Sequence, residues 1–258
     1  MNKTIADLIA GSKLYPVWLH QAYYMLSAKY KRTILGTIWI AGNFIASSLA
    51  IAVVFGAIFN QDLHETLPYT MQGFLMAGTC MWIITEAPEL YVGHAGIIKN
   101  HAYPFTYFAF EGVAKMIMLF AHNLIVFYIF MVAMGTVTVP LWPLIPGLIL
   151  NIVCMLGWGC VVGMMSARFR DLRFLLPSAS TLLFFLTPVY WRAETLGSQR
   201  WIADINPLYH MIAIVREPFL GRYPAPENWI FVSGVAVTGI VAWFIAFSLF
   251  RRRIPFWV

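Results

Sequence analysis

The stretch RFRDLRFLLPSASTLLFFLTPVYWR, residues 168–192, places three arginines and an aspartate in its first six positions and then runs apolar to a Pro-Val-Tyr-Trp stop. A helix needs roughly 20 apolar residues to cross a hydrocarbon core of about 30 Å. Clustered Lys and Arg hold such a helix by its foot on one side of the membrane. The rest of the chain repeats this arrangement. Of 258 residues, 60% are hydrophobic and 11% charged, with a mean hydropathy of +0.74. That leaves too few polar side chains to cover a soluble surface. The formal charge of +6 does not mark a nucleic-acid binder, because Lys and Arg sit in short clusters between apolar runs and not along one solvated face.

Six apolar runs emerge, at 34–59, 69–91, 105–134, 141–165, 174–191 and 229–250. They predict an all-α membrane protein of six transmembrane helices in one domain, 1–258, with spans one to five in 34–191 and span six at 229–250. Lys29, Lys31 and Arg32, then Lys99, then Arg168, Arg170 and Arg173, and finally Arg251, Arg252 and Arg253 fall on one side, whereas NQDLHETLP and GTVTVP on the other hold no Lys or Arg. The basic side reads as cytoplasmic, with both termini and a tail at 251–258 there. The N-terminal stretch has no apolar h-region ending in a small-residue cleavage site, so the chain is expected to insert through its own spans. Residues 1–33, with Trp18 and several tyrosines among polar residues, read as an amphipathic helix in the interface. In the outer region 192–228, PLYHMIAIVREP is too short to cross and is bracketed by Pro207 and Pro218. It reads as a re-entrant or interfacial gate helix before the last span, carrying Tyr209, His210, Arg216 and Glu217.

No GxxxxGK[ST], GxSxG or HExxH occurs, and Cys80, Cys154 and Cys160 lie inside apolar runs as packing residues. The chain is therefore read as no enzyme, with no metal and no cofactor of its own. Ionisable residues inside spans are costly. Glu111 and Lys115 have the i,i+4 order of an intrahelical pair. Glu86 and Glu89 flank Pro88, a possible kink, near the basic side. His122 and Asn123 are expected to hydrogen-bond across helices. Aromatic residues make up 16% of the chain. Phe44, Phe55 and Phe59, with Ser48 and Ile51, follow helical spacing along the first span. Phe184, Phe185, Tyr190 and Trp191 mark the outer half of the fifth. Each stripe suits helix packing, and together they also suit channel walls that stack on sugar faces.

SARFRDLRFLLPSASTLLFFLTPVYWRAETL followed by INPLYHMIAIVREPFLGRYP resembles the signature region of the membrane subunit of type-2 ABC exporters for O-antigen, capsule and teichoic-acid polymers. KYKRTILGTIWIAGNF resembles that family's basic patch and LGxxW, and HAGIIKNHAYPF resembles its first coupling segment. The chain departs from the pattern at Phe44, commonly proline, and at Lys29-Tyr30, usually Arg-Tyr.

The resemblance implies a homodimeric permease in a bacterial inner membrane, driven by two copies of a cytoplasmic ATPase that binds ATP and Mg. It implies export of polyprenyl-pyrophosphate-linked polysaccharide, with Ile97, Ile98, Lys99 and Asn100 docking the ATPase. Lys29, Lys31, Arg32, Arg168 and Arg170 then read as the cationic entrance for the lipid pyrophosphate. O-antigen is the leading cargo, with capsule or teichoic acid beside it. A type-2 exporter for a drug or other lipid is a further reading. So is a membrane enzyme acting on polyprenyl lipids, for which Asp62, His64 and Glu65 are the one polar cluster on offer.

Overall fold

The computed structural model describes residues 3–28, 31, 33–34 and 36–258. Among these the chain is helical, with no strand. Helices α1 (Lys3–Lys13) and α2 (Tyr15–Ala28) precede α3 (Ile38–Ile58). Then come α4 (Leu63–Cys80), the short α5 (Trp82–Thr85), two 3₁₀ turns and α6 (Ala95–Asn100). The long α7 (Phe105–Met134) and α8 (Leu144–Arg168) lead to α9 (Leu172–Leu186). The chain closes with α10 (Trp201–Asp204), α11 (Pro207–Phe219), α12 (Pro226–Phe250) and α13 (Ile254–Trp257).

Among the described residues four helical runs are long and apolar enough to cross a bilayer: α3, α7, α8 and Pro226–Trp257. The other two expected spans differ from their sequence reading for physical reasons. The second starts earlier, at Leu63, where Asp62 caps the helix by accepting from the His64 amide at 3.0 Å, so the helix takes in His64 and Glu65. It then breaks after Cys80, and Pro88 sits in a 3₁₀ turn, so the proline marks an interruption and not a bend in one continuous helix. The fifth, α9, stops at Leu186, because Thr187 turns extended before Pro188 and leaves 15 helical residues.

The interface region is two helices and not one. Asp7 on α1 is buried, and its carboxylate accepts from the backbone amides of Phe105 at 3.2 Å and Thr106 at 3.0 Å. It thereby caps the first turn of α7 in trans, where unpaired amides and the helix dipole favour a negative charge. Trp18 on α2 stacks on Phe110 of α7 with ring centroids 5.7 Å apart.

Helices α8 and α12 form the central post. A Cβ on Gly157 would lie 2.8 Å from the Gly239 carbonyl carbon, so only glycine lets the two backbones approach this closely. Helix α3 packs with a strict four-residue stripe, Ile40, Phe44, Ser48, Ala52 and Gly56. The stripe expected from the sequence therefore divides. Phe44 and Ser48 point into the core, while Phe55 and Phe59 lie on the neighbouring face.

Candidate functional site

Two polar assemblies sit at opposite ends of the bundle. At the end that carries the arginine clusters, the interruption after α5 turns carboxylates toward neighbouring helices. Glu89 binds the Arg173 guanidinium as a fork, at 2.6 and 2.8 Å, and ties the foot of α9 to the bundle. Glu86 pairs with Lys115. His94 lies between Leu90, whose carbonyl accepts from Nδ1 at 2.9 Å, and Glu111, whose carboxylate is 3.3 Å from Nε2. Burial works against protonating this imidazole, but the Glu111 carboxylate and the Leu90 carbonyl outweigh it and hold the pKa above the ordinary histidine value. The expected Glu111–Lys115 intrahelical pair is thus replaced: each residue reaches a partner in the interrupted segment. That segment folds back beside α7 and offers a histidine and a carboxylate closer than the next helical turn.

Helix α6 follows His94 directly. Ile97, Lys99 and Asn100 are exposed, and Ile98 turns inward against the core below. Four residues expected to act together thus divide into an anchor and an exposed surface.

At the other end, the two short motifs TPV and NPL meet. Asn206 caps α11 by accepting from the Leu208 amide at 3.0 Å, and Pro207 occupies the first helical turn, where a missing amide costs nothing. The Asn206 amide also donates to Thr187 Oγ1 at 2.9 Å, which binds the start of α11 to the end of α9. Deeper in α11, Arg216 is 1% exposed. Its Nη1 donates to the Pro188 carbonyl at 2.7 Å, and its guanidinium lies 3.8 Å from the centroid of the Tyr69 ring. These contacts offset part of the guanidinium's lost hydration, while its Nε has no hydrogen-bond partner among the described residues. Glu217 shares its carboxylate between Arg216 at 3.6 Å and Arg222 at 2.9 Å. His210 Nε2 donates to the Asp204 carbonyl at 2.8 Å, Nδ1 faces the Asn228 side-chain amide at 2.7 Å, and the ring stacks on Phe231 at 4.2 Å. Tyr69, Tyr209, Arg216 and Glu217 line a cavity of about 350 Å³ here. Tyr69 and Asn228 escaped the sequence reading, since neither belongs to a motif or a periodic stripe.

The aromatic residues meet at the same end. Tyr190 lies 4.5 Å from Phe55 and 5.8 Å from Phe184, and Phe59 lies 5.9 Å from Phe55. Trp191 donates through Nε1 to the Phe185 carbonyl at 3.4 Å, and its own carbonyl accepts from Tyr69 Oη at 3.3 Å. Phe44 stands apart in the core.

Lys29 and Arg32 of the expected cationic entrance lie outside the described residues. Lys31, Arg168 and Arg170 are exposed, and the last two diverge. Arg168 turns toward Trp257, 6.0 Å from its ring centroid, while Arg170 has no ion pair among the described residues. His122 Nε2 and Asn123 Oδ1 are shielded and lack a hydrogen-bond partner among the described residues, so the expected interhelical bonds are not made. Helix α7 turns Phe120 and Phe127 into the core in their place. Asp62 is occupied as the α4 cap, and Glu65 pairs with Arg192 at 3.2 Å.

A protein-family model described as ABC-2 type transporter matches residues 20–220 of the chain. No curated protein matches it significantly.

Proposed function

This chain belongs to the ABC-2 type transporter family, as the membrane subunit of an ABC transporter, and we propose that it exports a polyprenyl-pyrophosphate-linked polysaccharide, O-antigen first among the candidates. In this reading two copies form the conduit across a bacterial inner membrane, and two copies of a separate ATPase drive it with ATP and Mg. Each copy crosses six times, with α4 to α5 and α9 completing the four long helices. The termini and α6 lie on the cytoplasmic side. Ile97, Lys99 and Asn100 are the surface offered to the ATPase, and Ile98 transmits its movement to the core. Lys31 and Arg170 remain free to meet the pyrophosphate at the headgroup plane, where clustered cations suit a multivalent anion.

The observation that carries this reading is α9. It begins in the arginine cluster, ends against Tyr190, and none of its residues is buried among the described residues. At about 1.5 Å per residue it is also too short to fill the hydrocarbon thickness alone. A second copy placed against it would enclose a passage whose far end carries Phe55, Phe59 and Phe184, flat faces that stack on sugar rings without gripping them, with Tyr190 buried behind them.

Deleting the gene and fractionating polyprenyl-linked polysaccharide between the two faces of the membrane tests the proposal. Polymer should vanish from the surface and accumulate inside, and its sugars would identify the cargo as O-antigen, capsule or teichoic acid. Loss of synthesis without accumulation would instead favour a polyprenyl-lipid enzyme, and an unchanged surface would discard polysaccharide as the substrate.

A further inference from the structure

Helices α8 and α12, so tightly joined at Gly157 and Gly239, diverge toward the arginine-rich end and leave a groove of about 470 Å³ between them, closed at its foot by α13. Its walls are apolar, formed by Val161, Met164, Ala242, Ile245 and Leu249. Among the described residues two charged side chains line it, Arg168 from the last turn of α8 and Arg253 just beyond α12. Both are exposed, and neither has a carboxylate within ion-pair distance among the described residues. The other two well-placed arginines nearby differ in this respect: Arg173 is held by Glu89 and Arg251 by Asp7 at 3.3 Å. Trp257 stands beneath, with the Arg168 guanidinium 6.0 Å from its ring centroid.

We infer that this groove holds one anionic phospholipid of the surrounding leaflet, with an acyl chain along the α8–α12 cleft and its phosphate between Arg168 and Arg253. The charge pattern selects the occupant. A groove of methyl, methylene and thioether groups accepts a hydrocarbon chain, and two unneutralised cations at one end of it require an anion at headgroup depth. Basic pockets between helices on this side of a membrane are suited to such headgroups. A zwitterionic lipid would bring its own cation beside the two guanidiniums and lose most of the attraction. The tryptophan completes the site, since indole rings settle at the boundary between headgroups and chains. The inference is independent of the polysaccharide reading: it concerns an outward lipid-lined face and stands or falls on lipid retention, whatever the cargo is.

Purified full-length chain in neutral detergent, mixed with equal amounts of phosphatidylglycerol and phosphatidylcholine of identical acyl chains, would be weighed by native mass spectrometry. The expected result is one phosphatidylglycerol retained per chain. Each cation near the headgroup is worth about fivefold, so the preference should be about twenty-fivefold and should fall close to parity in Arg168→Gln/Arg253→Gln. Arg168→Lys/Arg253→Lys should keep most of it, which separates loss of charge from misfolding. Bromination of the phosphatidylglycerol acyl chain should quench fluorescence in the wild type, and the quench should shrink in Trp257→Phe. Equal retention of the two lipids, or a preference untouched by the double Gln variant, would overturn the inference. So would displacement of the retained phosphatidylglycerol by an equal amount of polyprenyl phosphate, which would assign the groove to a different lipid.

Discussion

Helices α8 and α9 are neighbours in sequence, separated by three residues, and both are apolar. Helix α8 buries twelve of its residues, four of them glycines, whereas α9 buries none. The difference lies in the side chains that face outward from each backbone. Helix α8 presents Gly157, Gly159 and Gly163 to Gly239, Trp82 and Leu90, and small residues let a backbone approach its neighbours closely where lipid supplies no hydrophobic drive. Helix α9 presents Phe174, Leu182 and Phe185, each more than half exposed, and is tied to its neighbours at both ends. Arg173 holds the foot through Glu89, and the Asn206–Thr187 bond with the Phe74–Phe184 contact at 5.3 Å holds the head. One helix is the post of the single chain; the other leaves its outward faces uncovered by the described residues.

The contrast is easiest to break from the α8 side. Gly157→Leu would drive a branched side chain into the Gly239 backbone and should cost about 3 kcal/mol. The expected outcome is loss of the monodisperse peak in gel filtration, with aggregation in detergent. Helix α9 should respond to the loss of its tether instead. Glu89→Gln removes the charged fork on Arg173, and because Glu89 is nearly half exposed the cost should be about 1 kcal/mol. It should appear as faster amide exchange confined to the first turns of α9, and it should not add to Arg173→Gln in a double-mutant cycle.

Proton concentration sharpens the comparison at the same end of the molecule. His94 has a raised pKa in the folded chain, so its contribution is fully present below the ordinary histidine value and is lost as pH rises through the raised one. Thermal stability in detergent should therefore decline with rising pH above the ordinary histidine range, and His94→Gln should flatten that slope. The smallest expected effect is on α9 itself. Leu182→Ala, at a position 67% exposed, should change the stability of an isolated chain by less than about 0.5 kcal/mol. Export should nevertheless suffer, if that face meets a second copy.

Length and apolar composition made α3, α7, α8 and α12 legible, and Pro207 opened α11 as expected, whereas Pro218 lies within its last turn and the helix ends at Phe219. Asn206 and Pro207 are a helix start by themselves, so NPL could be read locally. Partnerships were less legible, because spacing reveals only neighbours on the same helix. Glu111 and Lys115 look like a pair at i,i+4, yet His94 and Glu86 take them, through a turn that only the tertiary fold brings back. Asp7 is another case: a lone acid in a short N-terminal helix becomes the cap of α7, a hundred residues away in sequence. Arg216 lay inside the expected gate segment, but its seat on Tyr69 depends on the geometry between α4 and α11. The two ends of α9 were readable, as arginines and as Pro188. Its bare faces were not, since Leu and Phe are equally at home against protein and lipid.

The most direct measurement is disulfide cross-linking in native membranes with a single cysteine at Leu182 of α9, in a background where Cys80, Cys154 and Cys160 are replaced by alanine. A band at twice the 29.3 kDa chain mass is expected from Leu182→Cys, with none from a control cysteine at Ile245 on α12. A dimer band from Ile245→Cys and none along α9 would contradict the view that α9 is the face a second copy covers.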